Sequence, residues 1–276
     1  METRERISLS FHESFALSRP SITQILDVIP RFNGDGSQEA FLRQNTALGT
    51  RYVKAMPRYA IGSGLLDFNR HLTEFGRYAV AHDPMLEQLG TQWLMHYFLS
   101  APHGPGPAFW HELVTTFFFT GNEFAKAQVE RHIADFVEQT DGQPLAERTT
   151  RTAATVFLGS YTKSDALGYL QILDELPEKR YRVRGPIPPP VWAVAYALLD
   201  YWAVQFEDRL TVSLDTLTEA GGFASLFLLG QQEFNEILSA LQAEHFVEVY
   251  RAAPPYQVVL LRRDTEPLLQ KLYGTD

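Results

Sequence analysis

Apolar residues recur along this chain mostly at the three- and four-residue steps of a helix, with a few short runs that alternate in the manner of a strand. Ile22, Ile25, Leu26 and Ile29 form one such stripe, behind a capping-box pattern at Ser21-Ile22-Thr23-Gln24 and ahead of Pro30. Ser37 then caps a short helix, and Tyr52, Val53, Met56 and Tyr59 or Ala60 mark another. The turn at Ala47-Leu48-Gly49 separates the two. Pro57 removes a backbone donor and is expected to kink or end the second helix near Met56. Gly62-Ser63-Gly64 closes the segment, Leu65 to Leu72 suits a short wing-like hairpin, and Thr73 to Arg77 starts another helical turn. Ahead of all this, Ser8 to Phe15 alternates and suits a strand or extended lead-in.

From Asp83 to about Leu176 the pattern is almost wholly helical. Leu86, Leu89, Trp93, Leu94, Tyr97 and Phe98 make one apolar face, and Phe109, Trp110, Leu113, Phe117 and Phe118 a second. So many aromatics at helical spacing are expected in a core rather than around a cofactor. A third helix is expected from an Asn122 cap to Asp141-Gly142, and a fourth directly after Pro144. Lys179 to Arg184 alternates basic and apolar residues, predicting an extended segment with one cationic face. Gly185 to Pro190 marks a boundary. Val191 to Phe206 is apolar nearly all round, too short and interrupted to span a membrane, and is expected as a buried central helix. Beyond it, Ser213 caps a short helix through Leu217. Phe234, Ile237, Leu238 and Leu241 mark another, and Phe246–Arg251 with Tyr256–Leu261 flank Ala252-Ala253-Pro254-Pro255 as a hairpin.

These elements predict a mainly α fold in three parts. An N-terminal winged helix-turn-helix covers 1–80, a helical middle domain 81–185, and a C-terminal winged-helix-like domain 186–276. The 276 residues, 45% hydrophobic, suffice for a real core. Charge sharpens the division. Residues 1–80 hold 10 Lys and Arg against 8 Asp and Glu, residues 81–178 hold 5 against 13, and residues 179–276 hold 9 against 12. Duplex DNA should therefore meet the N-terminal part and avoid the centre. On the second helix of the central pair, Arg51, Lys54 and Arg58 follow i, i+3, i+7 and share a face, with Arg43, Asn45 and Thr50 as secondary contacts. The corresponding C-terminal helix exposes Gln232, Glu233, Asn235, Glu236 and Glu244, which favours a protein contact there, while Arg251, Arg262 and Arg263 leave a basic wing open.

Catalytic signatures are missing. With no Cys there is no disulfide, thiolate nucleophile or cysteine zinc site. His12-Glu13 and His111-Glu112 are followed by Ala16 and Thr115 where a zinc-protease helix needs its second His. No phosphate-binding glycine loop or nucleophile elbow occurs. No catalytic residue, metal or cofactor is expected, and the mixed charges of the first fifteen residues give no signal peptide, which places the chain in the cytoplasm with no membrane partner.

A series of colinear landmarks resembles a bacterial domain-of-unknown-function family (number four thousand and seven). They are His12-Glu13-Ser14-Phe15, Gly49-Thr50-Arg51-Tyr52-Val53-Lys54 with Gly64-Leu65, Leu72-Thr73-Glu74-Phe75-Gly76, Trp93-Leu94-Met95-His96, and the Pro-rich entry to an Ala-Leu-Leu-Asp-Tyr-Trp helix, from Pro188 through Trp202. The resemblance implies winged-helix accessory proteins of anti-phage loci of the BREX or DNA-phosphorothioation kind, working with other defence proteins. The chain departs from the pattern around Pro57-Arg58 and between Ser21 and Ile25, where an expected Trp-x-x-Lys is missing. The expectation is thus a non-enzymatic, DNA-binding defence accessory protein. An adaptor or oligomerisation subunit, or a transcriptional regulator of the locus, is the alternative, and a homodimer stays open.

Overall fold

A computed structural model describes residues 5–275. Among these, twelve α-helices and two three-stranded sheets make the protein mainly helical, and no helix is long and apolar enough to cross a membrane. The chain divides into two compact units, Met1–Ile187 and Pro188–Asp276.

The first unit opens with turns instead of the expected strand. Phe11 N–H bonds Ser8 O and Phe15 N–H bonds His12 O, and Glu13 and Ser14 both take positive φ, so the segment curls and buries Phe11 and His12 together. Helix α1 (Arg19–Val28) begins three residues before Ile22, because Pro20 fits the first helical turn and Ser18 precedes it in extended geometry. Pro30 lies in a 3₁₀ turn that continues α1. Helix α2 (Gln38–Asn45) starts at Ser37, whose hydroxyl accepts from Ala40 N–H. Helix α3 (Tyr52–Gly62) continues past Pro57 instead of ending near Met56. The proline removes the donor that would have met Val53 O, but the flanking turns keep their bonds. The residue itself is buried, so packing holds the helix where local propensity would end it. Gly64, at φ +73°, lets the chain leave α3 with Gly64 and Leu65 N–H returning to Ile61 O and Ala60 O. A tight turn follows, closed by one antiparallel bridge between Leu66 and Leu72. Thr73 then caps α4 (Glu74–His82) by accepting from Gly76 N–H.

Helices α5 (Leu89–Ser100) and α6 (Ala108–Phe117) bring Trp93, Tyr97, Phe109 and Trp110 into the core, as their spacing predicts. The next expectation needs correcting. Residues 123–125 form strand β1 (Glu123–Ala125) ahead of α7 (Lys126–Asp141), and Asn122 bonds Phe117 O in place of capping a helix. Gly142 ends α7 at φ +68°. Helix α8 (Glu147–Thr162) starts three residues after Pro144. Strands β2 (Leu173–Leu176) and β3 (Arg180–Val183) complete an antiparallel sheet in the order β1-β3-β2. The cationic face expected on Lys179–Arg184 is therefore partly offset by carboxylates of neighbouring strands. Arg180 and Arg182 both reach Glu123, at 3.0 and 2.6 Å, and Arg184 lies 3.3 Å from Asp174.

The second unit centres on α9 (Val191–Gln205), nine of whose residues are buried. Around it lie β4 (Thr211–Ser213), α10 (Leu214–Thr218), α11 (Gln231–Ala243), β5 (Val247–Tyr250), β6 (Gln257–Leu260) and α12 (Glu266–Tyr273), with the sheet ordered β4-β6-β5. Ser213 caps α10 by accepting from Thr216 N–H. Both α11 and α12 pack on α9.

Candidate nucleic-acid interface

The α2–α3 junction is fixed from three sides. Thr46 ends α2 in extended geometry, and its hydroxyl bonds Leu42 O at 2.6 Å. Ala47 N–H donates to Gln24 Oε1 at 2.9 Å, tying the turn to α1. Gly49 O and Arg51 O accept from Val53 and Ala55 N–H and start α3. What remains outside is polar. Arg43, Gln44, Asn45, Gly49, Thr50 and Arg51 are all exposed.

The six candidate contacts differ sharply in their surroundings. Arg43 and Arg51 have no ion-pair partner among the described residues, and Thr50 lies open beside Arg51. Asn45 is exposed, although its amide nitrogen also bonds Phe41 O at 2.8 Å. Lys54 is half-buried, 3.9 Å from Glu39. Arg58 lies 3.6 Å from Glu13 and 3.4 Å from Phe11 O, so it belongs as much to the lead-in as to the surface. Eight of the eleven residues of α3 are buried, Tyr59 among them with its hydroxyl on Phe15 O. Outward exposure on α3 is left to its amino end and to the partly exposed side chains of Lys54 and Arg58. The structure thus leaves Arg43 and Asn45 exposed on the last turn of α2 and Thr50 and Arg51 exposed at the entry to α3, and sets Lys54 and Arg58 in acidic company.

One further cation escaped the residue pattern. Arg70, at φ 65° in the turn between Leu66 and Leu72, is half-buried, and burial and the nearby Arg58 lower its pKa while Glu39 opposes them. With Arg77 and Gln38 it lines a cavity of about 510 Å³. No helical or strand period runs through residues 67–71, so nothing in the chain's spacing relates Arg70 to α3.

Elsewhere the His-Glu pairs serve as ordinary polar contacts. His111 Nδ1 bonds Ser100 O at 2.7 Å and burial pushes its pKa down, while Glu112 holds His132 Nε2 at 2.8 Å. No group of three or more His, Asp or Glu suited to a metal ion occurs among the described residues.

Fold and landmarks define a helical protein with two small antiparallel sheets. The chain belongs to the family described as protein of unknown function (DUF4007), whose model matches residues 10–273. Two solved structures resemble it across nearly its whole length: magnesium ion-bound SspB (TM-score 0.80, 17% identity, 99% of this chain and 89% of that one) and SspB (TM-score 0.79, 16% identity, 99% and 90%). At that identity the likeness establishes a shared fold. No curated protein matches the chain.

Proposed function

We propose that this chain is a DNA-binding accessory protein of a bacterial anti-phage system of the BREX or phosphorothioation kind, with no catalytic activity of its own. The observation that carries the reading is the exposed α2–α3 junction, where Arg43 on the last turn of α2 and Arg51 at the amino end of α3 have no carboxylate partner among the described residues. Phosphates are held by exposed arginines beside the positive end of a helix, and helix-turn-helix units offer bases the first turn of their second helix. In this reading α1, α2, α3 and the Leu66–Leu72 turn are a winged helix, with Arg70 on the wing. The α9-β4-α10-α11-β5-β6 order is a second one. An adaptor role for that second unit is favoured by α11, whose exposed residues include Glu233 and Glu236 and no cation.

The test is fluorescence-anisotropy titration of a short duplex across a salt series, comparing the protein with an Arg43→Ala/Arg51→Ala variant of unchanged circular dichroism. Binding that weakens with salt, and whose log–log slope shrinks by about two in the variant, supports the reading. Absence of binding at low salt overturns it. Because one of the similar SspB structures is magnesium ion-bound, a parallel incubation with supercoiled plasmid and magnesium is included. Unchanged plasmid topology is expected, and magnesium-dependent strand cleavage would overturn the non-enzymatic part.

A further inference from the structure

A second polar site lies away from the α2–α3 turn. Arg19 of α1, Glu87 ahead of α5, Gln92 of α5, Thr162 of α8, and Ser164 and Tyr169 beyond it line a cavity of about 570 Å³, within the range of small-molecule sites. Arg19 is 8% exposed, yet no carboxylate pairs with it among the described residues. Its guanidinium donates instead to three carbonyls: Nε to Ala166 O at 2.7 Å, Nη1 to Leu86 O at 3.0 Å and Nη2 to Ser164 O at 2.7 Å. These bonds pin three segments together and leave N–H capacity on both Nη atoms. Gln92 is 1% exposed. Its amide nitrogen bonds Glu87 O at 3.1 Å, while its Oε1 has no donor at all. Tyr169 is the opposite case, a large ring left 52% exposed at the same cavity.

A buried cation without a counter-charge and a buried acceptor without a donor are both costly, and each is relieved by a ligand of opposite character. We propose that this cavity binds a nucleotide. Its base stacks on Tyr169, an exocyclic amine donates to Gln92 Oε1, and the phosphate meets the spare N–H groups of Arg19. Glu87, Thr162 and Ser164 supply acceptors and hydroxyls for the sugar. The same chemistry is offered by a free nucleotide and by an unstacked base of a nucleic acid. The site does not rest on the α2–α3 turn, so the two proposals stand or fall separately.

Calorimetric titration of the full chain with AMP, CMP and IMP tests the free source, and fluorescence of a single-stranded oligonucleotide carrying 2-aminopurine tests the other. At least one arm should saturate, with AMP or CMP favoured over IMP, which lacks the amine. Tyr169→Ala should weaken binding about tenfold and Tyr169→Phe should retain it, since stacking needs only the ring. Tyr169 is exposed, so both variants should fold as the parent does. The Arg43→Ala/Arg51→Ala variant should bind the free nucleotides as the parent does. Saturation by the oligonucleotide alone assigns the site to a polynucleotide base. No binding in either arm up to millimolar ligand, equal binding of IMP, or affinity untouched by Tyr169→Ala would each overturn the proposal.

Discussion

Tyr161 Oη lies 2.8 Å from His96 Nδ1, and both residues are wholly buried. The same oxygen accepts Trp110 Nε1–H at 2.8 Å. The indole only donates, so Tyr161 Oη accepts there and keeps its own proton to offer His96 Nδ1 when that nitrogen is unprotonated. Burial pushes the Tyr161 hydroxyl well above its usual pKa, and the indole bond only partly offsets that shift, so it remains neutral and available as a donor. Tyr161→Phe would strand two buried polar atoms on α5 and α6. A loss of about 2–4 kcal/mol is expected, read by urea unfolding. A change below about half a kcal/mol would mean that the two atoms find other partners.

Gly76 shows why one landmark of the family pattern has its glycine. A Cβ there would sit 1.9 Å from Leu65 O, which is backbone and cannot swing aside. Thr73 reinforces the approach through its bond to Gly64 O at 2.6 Å. Gly76→Ala should therefore destabilise the fold by about 1–3 kcal/mol, visible as a lower melting temperature, although alanine is the better helix former. An unchanged melting temperature would show that α4 can shift away from Leu65.

His12 should make stability depend on pH. Its Nδ1 accepts Ser14 N–H at 3.0 Å, so the neutral ring carries its proton on Nε2, which is buried without a partner. Burial lowers its pKa and the Glu13 carboxylate offsets part of that shift. A lowered folded pKa means that the unfolded chain binds more protons once pH falls below about 6.5, so stability declines from there and levels off below the folded pKa. His111, also lowered by burial, acts in the same direction. Melts between about pH 7.5 and pH 5.5 should show the decline, and His12→Asn, which keeps an acceptor for Ser14, should flatten it. An equally steep decline in that variant would assign the effect to other groups.

Glu39 restrains the candidate interface electrostatically. It lies 3.9 Å from Lys54 and opposes the lowering of Arg70's pKa. Glu39→Gln should strengthen duplex binding roughly two- to fivefold at low salt, with the two proteins converging as salt rises. A weaker-binding variant would mean that Glu39 positions the cations instead of neutralising them.

Much of the fold is legible along the chain where the cause is local. Ser37, Thr73 and Ser213 cap the helices their positions announce, and the runs flanking Ala252 to Pro255 do pair, as β5 and β6. Strands β1 and β2 were not legible, because three- or four-residue strands exist only through their pairing with β3, dozens of residues away from β1. Pro57 misleads for the converse reason, since its packing outweighs a lost hydrogen bond. The Arg51, Lys54 and Arg58 stripe is real as a spacing. Which of its members has a carboxylate partner depends on Glu13 and Glu39, contributed by two other segments. The Arg19 cavity draws on parts of the chain more than 140 residues apart and has no sequence signature.

The pairing of β1 with β3 also bears on the order of assembly. Glu123 meets Arg180 across 57 residues, and the intervening chain contains α7 and α8, which pack directly on each other. Joining ends so distant carries a loop-closure cost that falls once the helical hairpin has drawn them together. The docking of β1 on β3 is therefore expected late, as a clasp that closes on a helical pair already formed. Mutations at Glu123 should then act mainly on the unfolding rate, while those within the α7–α8 contact slow folding itself.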